Sequence, residues 1–192
     1  MEFQSDAYYI EQVLNGTKNA FAHLVEKHKH MVFTVALRIV RNREDAEEIA
    51  QDAFIKAFQS LETFKQESKF STWLYKIAYN AAISKTRKKK LEMAPIEVNV
   101  VENYTLDEIF ENLERLEDNE QKRIISRLFE SLNPDESTLI TLYYYENIQT
   151  EEIAEITGLT QSNVKVKLHR IRQKMHNELQ KILAMDIKEL YT

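Results

Sequence analysis

The last third of the chain carries cationic side chains at regular spacing around an apolar stripe. Val164, Leu168 and Ile171 recur at i, i+4 and i+7, which predicts a helix with one buried face. The cations lie off that stripe, at Lys165, Lys167, Arg170, Arg172 and Lys174. A helix with a basic outer face suits phosphate and fits the major groove of DNA. We therefore predict a duplex-binding surface formed by Ser162, Lys165, Lys167, His169 and Arg170.

A helix that enters DNA needs a second helix to support it, and the preceding residues supply one. Residues 150–157 have the pattern of a short helix, with the small Ala154 where two helices must cross. Gly158 follows where a tight turn requires a positive φ. The segment is thus predicted to be a helix-turn-helix. The alternative from the residues alone is a helical hairpin with a solvated basic face.

A second nucleic-acid pattern mixes aromatic and basic residues between positions 70 and 90. Unpaired bases stack on aromatic rings while cations neutralise their backbone, so this composition favours binding to a single strand. The residues off the core stripe that suit this role are Thr72, Tyr75, Lys76, Tyr79 and Asn80. Trp73 belongs either to the core or to this surface, and a basic run that includes Arg87 and Lys88 extends the phosphate track. The alternative is a set of core aromatic residues next to a solvated basic end.

Three carboxylates share one face of a predicted helix, because Asp45, Glu48 and Asp52 are spaced i, i+3 and i+7. Such a face either binds a divalent metal or remains solvated for docking to a protein. A metal site in a helical bundle needs a Glu-x-x-His pair, and the sequence contains none. We therefore favour the docking face, expect His23 and His28 to be packing or surface histidines, and predict no metal or other cofactor.

Nothing in the sequence favours catalysis. There is no cysteine nucleophile, no Gly-x-Ser-x-Gly elbow and no glycine-rich phosphate loop, so we predict a protein that is not an enzyme. The absence of cysteine fits a reducing compartment. No signal peptide or membrane span is visible, so the expected location is the cytoplasm, without membrane insertion.

Composition favours an all-α fold. The chain of 192 residues has only two glycines and two prolines, which suits long helices. Asp6 is predicted to cap a helix that runs through Leu14. Asn133-Pro134, a cap residue followed by proline, predicts the start of another helix.

Charge is segregated along the chain, whose net charge is −5. Residues 61–90 carry eight cations and two carboxylates, and residues 161–181 carry six cations and one carboxylate. Between them, residues 91–136 carry thirteen carboxylates and four cations. Because salt screens charges over about 8–10 Å, DNA responds to the local charge of each basic module. We predict two small helical domains, residues 1–90 and 120–192, joined by an acidic linker at 91–119.

Three segments in this order resemble the extracytoplasmic-function (ECF, group IV) sigma factors of bacterial RNA polymerase. They are the helix Arg43–Phe58, the segment Phe70–Asn80 and the helix-turn-helix. The resemblance covers nearly the whole chain except the linker. It implies a promoter-specific initiation factor that works as a subunit of core RNA polymerase. It also implies an anti-sigma factor that holds the protein inactive.

The resemblance assigns a role to each predicted surface. Residues 1–90 would bind the polymerase and the melted minus-ten strand, and residues 120–192 would read the minus-thirty-five duplex of promoter DNA. The residues implied to contact the polymerase are Asp45, Glu48, Gln51 and Asp52. The loop Glu62–Lys69 would form a pocket for a flipped base, which adds Phe64 and Lys69 to the minus-ten surface.

Two other classes of protein remain as alternatives at this point. A stand-alone helix-turn-helix regulator would bind duplex DNA without polymerase, although the aromatic and basic residues of 62–90 then have no role. A metal-dependent bundle enzyme is the other alternative, and bound metal would reveal it.

Overall fold

The computed structural model describes residues 4–89 and 118–189, apart from the side chains of 87–89, 118 and 185–189. All regular structure in these two ranges is helical, which confirms the predicted all-α fold. The first range contains α1 (Asp6–Leu14), α2 (Phe21–Val40), α3 (Arg43–Gln59) and α4 (Phe70–Lys89). The second range contains α5 (Asp118–Ser131), α6 (Pro134–Ile140), α7 (Thr150–Thr157) and α8 (Gln161–Glu189). The predicted linker lies outside the described residues except for Asp118 and Asn119, which begin α5.

Local sequence signals account for the helix ends in the first range. Helix α2 ends where Arg41 adopts a left-handed conformation with φ of 53°. Asn42 then caps α3, because its side chain accepts a hydrogen bond from the backbone N–H of Asp45 at 2.8 Å. The prediction for α1 was wrong in one detail. Ser5, rather than Asp6, occupies the cap position and accepts a hydrogen bond from the N–H of Tyr8.

Asp6 instead ties α1 to α2. Its carboxylate accepts a hydrogen bond from Lys27 at 2.6 Å and lies 3.1 Å from Nε2 of the buried His28. Nδ1 of that ring lies 3.2 Å from the hydroxyl of Tyr75 on α4. These partners are all satisfied when Nε2 donates to Asp6 and Nδ1 accepts from Tyr75. His28 is therefore a packing residue that links three helices, as the sequence favoured.

In the second range, a capping box begins α6. Asn133 accepts from the N–H of Glu136, whose side chain accepts from the N–H of Asn133, and Pro134 is the first helical residue. The chain continues from α6 through a π-helical turn, Thr141–Tyr145. Gly158 ends α7 with φ of 73°, which confirms the predicted turn of the helix-turn-helix.

The buried side chains form one contiguous hydrophobic cluster that includes residues from both ranges. Helix α2 packs on α3 and α4, while α8 packs on α5, α6 and α7. The two groups of helices also touch, because α4 packs on α7 and α2 packs on α6. The guanidinium of Arg38 lies 4.1 Å from the ring centroid of Phe129, and Arg41 donates to the carbonyl of Leu132. None of the described helices is long and apolar enough to traverse a bilayer.

Candidate nucleic-acid interface

Helix α8 presents the predicted duplex-binding residues on its outer face. The stripe beneath them is closely packed, since Val164, Leu168, Ile171 and Met175 are at most 1% exposed. Ser162, Lys165, Lys167 and Arg170 are exposed, and His169 is half-buried. The apolar spacing at i, i+4 and i+7 therefore predicted both the buried and the outward faces correctly.

Two further cations of this helix have partners within the protein. Nε of Arg172 donates to the hydroxyl of Tyr144 at 2.8 Å, and Nζ of Lys174 lies 2.7 Å from the carboxylate of Glu136. The sequence pattern gave no sign of these contacts, because the two partners lie 28 and 38 residues earlier in the chain. They hold α8 against α6 and the π-helical turn. The basic surface available to a ligand is thus narrower than the count of cations indicates.

The turn before α8 fixes where this helix begins. Thr160 caps it, since its hydroxyl accepts a hydrogen bond from the N–H of Asn163 at 3.2 Å. The side chain of Gln161 donates to the hydroxyl of Thr150 at 3.1 Å, which joins the first turns of α7 and α8. The N-terminal end of the predicted DNA-binding helix is therefore held in one orientation.

The predicted minus-ten surface contains a small aromatic cluster, which we define as Phe64, Phe70 and Trp73. The ring centroid of Trp73 lies 5.1 Å from that of Phe64 and 5.8 Å from that of Phe70. Phe70 is buried, while Phe64 and Trp73 are half-buried. The cluster fixes the loop that follows α3 against the start of α4. Phe64 and Trp73 therefore have a packing role whether or not they also contact a base.

The remaining minus-ten candidates differ in their exposure. Lys76 and Asn80 on α4 are exposed. Thr72 is 2% exposed, so DNA reaches it only if neighbouring side chains move. Lys69 is exposed but lies 2.7 Å from the carboxylate of Glu152 on α7. Arg87 and Lys88 are in the last turn of α4, where the structure does not describe side chains.

Tyr79 on the same helix is half-buried, and the prediction that Tyr75 lies off the core stripe was wrong, because Tyr75 is only 8% exposed. Burial raises the pKa of its hydroxyl, and the negative charges of Glu146 and Asp6 raise it further. The hydroxyl therefore stays protonated and keeps its contact with His28.

Two of the predicted docking carboxylates face α4. Nζ of Lys85 lies 2.6 Å from Glu48 and 2.9 Å from Asp45, so both acids share one cation. Hydrogen bonds to Glu48 and Asp45 raise the pKa of Lys85. Asp52 and Gln51 are exposed further along α3. The four residues remain on accessible faces of one helix, but the positive charge of Lys85 offsets part of the negative charge of Asp45 and Glu48.

Gln51 also borders a cavity of about 570 Å³ between α2 and α3. Its lining combines apolar residues, among them Val25, Phe33 and Phe54, with the charged Arg43 and Glu47. Ile55, which is 47% exposed, also lines the cavity. The sequence did not mark this cavity, because Val25 and Phe54 have the helical spacing of core residues.

Comparison with known proteins supports the sequence resemblance. The family model described as Sigma-70 region 2 matches residues 24–92, and the model described as Sigma-70, region 4 matches residues 122–175. The first match includes α3, α4 and the aromatic cluster. The second includes the helix-turn-helix.

Curated relatives extend the similarity to most of the chain. The chain is 34% identical to the ECF RNA polymerase sigma factor SigW of Bacillus subtilis over 183 residues, covering 88% of this chain and 94% of the relative. It is 30% identical to the ECF RNA polymerase sigma-E factor of Escherichia coli K12, covering 93% and 96%.

Solved structures show the same fold at low identity. CnrH in complex with the cytosolic domain of CnrY superposes with a TM-score of 0.60 at 20% identity, covering 93% of this chain and 99% of the other. The sigma factor RpoE of Bartonella quintana, in complex with the anti-sigma factor NepR, gives 0.59 at 19% identity, covering 84% and 98%. The region 2 match separates the chain from a stand-alone helix-turn-helix regulator. With the family matches and the identity to curated relatives, it shows that the chain belongs to the ECF sigma factors of RNA polymerase.

Proposed function

We propose that this ECF sigma factor directs core RNA polymerase to promoters through three separate surfaces. The observation that carries the proposal is that one chain matches sigma region 2 and sigma region 4, in that order. Each matched region also has an exposed polar face. We assign the predicted domain 1–90 to the polymerase and the minus-ten strand, and the domain 120–192 to the minus-thirty-five duplex. The linker at 91–119 joins the two.

The surface for the minus-thirty-five element is the outer face of α8. Its predicted residues Ser162, Lys165, Lys167 and Arg170 are exposed, and the helix is supported by a packed stripe and a fixed N-terminal turn. A rigid, basic helix of this kind fits the major groove, where side chains contact both base edges and phosphates. Half-buried His169 lies on the same face.

The surface for the minus-ten strand lies at the start of α4 and in the loop before it. The aromatic cluster offers ring faces for a displaced base, while the exposed Lys76 and Asn80 lie further along α4. Extracting a base from the duplex costs a few kcal/mol, which stacking and hydrogen bonds in a pocket offset. Promoter opening then needs no nucleotide hydrolysis by this chain, and we propose that it carries out no catalytic step.

The surface for core polymerase is α3. Asp52 and Glu48 are exposed carboxylates and Gln51 borders an apolar cavity, so the helix combines charge with apolar area. Interfaces commonly have this organisation, with an apolar centre and a polar rim. We further propose that the protein acts in the cytoplasm with the polymerase, and that an anti-sigma factor holds it inactive.

Transcription by purified components tests the function directly. Core RNA polymerase with this chain should produce run-off RNA from a subset of fragments of the genome that encodes it, whereas core polymerase alone should not. A mixture with the matched variant Arg170→Ala should initiate from fewer fragments or more weakly. If the chain copurifies with core polymerase but no fragment supports initiation, the proposed function is wrong.

A further inference from the structure

The outer face of α8 contains an exposed apolar residue that the basic pattern does not explain. Val166 is 45% exposed and lies between Lys165 and Lys167. One exposed apolar side chain by itself is ordinary on a protein surface. Valine at a solvated helix position, however, favours the helix less than alanine or lysine does. The position of Val166 relative to the buried stripe is the informative feature.

Helix geometry places Val166 at the centre of the outward face. Each residue of an α-helix turns about 100°, so Val166 lies within about 10° of the direction opposite the stripe Val164, Leu168, Ile171 and Met175. Lys165 and Lys167 lie about 90° and 110° from that direction, on opposite flanks. Ser162 and Arg170 lie one turn before and one turn after Val166.

This arrangement divides the predicted duplex-binding residues into two kinds. A helix with its side chains is about 10–12 Å across, close to the width of about 12 Å of the major groove. The flanks of a helix that fills the groove face the two phosphate backbones, and its central line faces the base edges. Lys165 and Lys167 are thus placed for phosphates, whereas Ser162, Val166 and Arg170 are placed for bases.

An apolar side chain at a base edge is expected to contact the methyl group of thymine. The C5-methyl group of thymine is the apolar group that distinguishes base pairs in the major groove, where the other base-edge groups are hydrogen-bond donors and acceptors. The valine side chain has no donor or acceptor, so it gains from removing that methyl from water. We propose that Val166 specifies a thymine in the minus-thirty-five element by packing against its methyl group. This inference rests on the proposed minus-thirty-five role of α8.

Replacing thymine by uracil removes the methyl group and leaves base pairing unchanged, which gives a direct test. Holoenzyme assembled from core polymerase and this chain first selects binding sites from a randomised duplex library. Duplexes with the selected sequence are then made with single dT→dU replacements in either strand, and holoenzyme affinity is measured by fluorescence anisotropy. The variants are wild type, Val166→Ala and the control Leu14→Ala, which shortens an equally exposed side chain on α1.

For wild type and Leu14→Ala, we expect dU at one or two positions to weaken binding about fourfold, the effect of one buried methyl-sized group. Val166→Ala should bind the dT and dU duplexes equally, and selection with it should relax the thymine preference there. Alanine is a strong helix former, so the fold should be unaffected. Lys167→Ala should weaken binding to all duplexes and keep the dU effect.

The outcomes distinguish the role of Val166 from the minus-thirty-five role of α8. If the library yields a conserved site but no dU replacement distinguishes wild type from Val166→Ala, the role of Val166 is wrong and minus-thirty-five reading stands. If wild-type holoenzyme enriches no duplex sequence, the proposed role of α8 fails and the inference about Val166 fails with it.

Discussion

The two basic helices of this sigma factor, α4 and α8, present their candidate nucleic-acid residues in different ways. On α8 the candidates lie on an open face above a separate buried stripe. On α4 the candidates include Thr72, which is buried, and Trp73, which packs in the aromatic cluster. Lys69, just before α4, already pairs with Glu152 of α7.

The difference follows from the form of DNA that each helix is proposed to bind. A duplex offers a groove of fixed shape, which a preformed rigid helix matches without rearrangement. A flipped base needs an aromatic pocket, and such a pocket shares its walls with the hydrophobic core. Substitutions at Thr72 and in the aromatic cluster should therefore affect folding and binding together, whereas substitutions on the outer face of α8 should affect binding alone.

The largest effect is expected for the third surface, the carboxylates of α3. Reversing two charges with Glu48→Lys and Asp52→Lys should weaken binding to core polymerase by about 3–5 kcal/mol, because like charges then meet at the interface. The variant should still bind minus-thirty-five duplex through α8. Pull-down titrations with core polymerase measure the loss. The control reverses two exposed acids elsewhere, Glu11→Lys and Glu155→Lys, and equal losses in both variants would contradict the docking assignment.

Trp73→Ala tests whether a minus-ten candidate also supports the fold. We expect a loss of about 2–4 kcal/mol in the free energy of unfolding, because the indole packs on Phe64 and Phe70. Chemical denaturation measures it. Trp73→Phe should recover most of the stability, and Asn80→Ala, at an exposed site, should leave stability unchanged while reducing open-complex yield. Unchanged stability in Trp73→Ala would contradict the inferred difference between α4, whose candidates also support the fold, and α8, whose candidates do not.

Arg170→Ala tests the open face of α8. Stability should not change, because the side chain is exposed, while affinity for the selected duplex should fall by about 1–3 kcal/mol if the guanidinium contacts a base edge. Binding to mutated duplexes distinguishes the kinds of contact. Equal weakening for every sequence would identify a phosphate contact, and Arg170 would then have the role assigned to Lys165 and Lys167.

Asp6→Asn tests the link between α1, α2 and α4. Burial raises the pKa of Asp6, but the hydrogen bonds from His28 and Lys27 outweigh this, and the pKa lies below its ordinary 3.8. The unfolded chain thus binds its proton at higher pH than the folded protein does. The carboxylate contributes its stability above about pH 4 and loses it as pH falls through the folded-state pKa.

The Asn variant should be less stable by about 1–2 kcal/mol at neutral pH, with a smaller further loss on acidification. Thermal unfolding between pH 3 and 7 measures both effects. The control, Glu11→Gln, changes an exposed carboxylate of the same helix and should match wild type. An Asp6→Asn curve that coincides with the wild-type curve over this range would mean that the contact contributes nothing.

The smallest effect is expected at the contact between the two groups of helices. Lys69→Glu should destabilise it by less than about 1 kcal/mol, because the pair with Glu152 involves an exposed lysine that salt screens. The double variant Lys69→Glu, Glu152→Lys should regain the lost stability. A double-mutant cycle on thermal stability at low salt measures the coupling, and a coupling of zero would mean that the pair contributes nothing to the packing of α4 on α7.

The sequence was sufficient wherever a signal acts within a few residues. The apolar stripe of α8, the left-handed Gly158 and the helix start at Asn133-Pro134 each follow from residues within one or two helical turns. The all-α class followed equally from the scarcity of glycine and proline. Three motifs in order identified the family, because both sigma regions leave a local pattern.

Only the tertiary structure decided which of these side chains are available to a ligand. Lys85 takes up part of the charge of Asp45 and Glu48, Arg172 and Lys174 support α8, and Thr72 is buried. Each partner is distant in the chain, and residue type does not report distance in space. The sequence determined the helices and their faces, whereas the packing of helix on helix determined which polar groups remain free to bind, because burial and ion pairing depend on every neighbouring element.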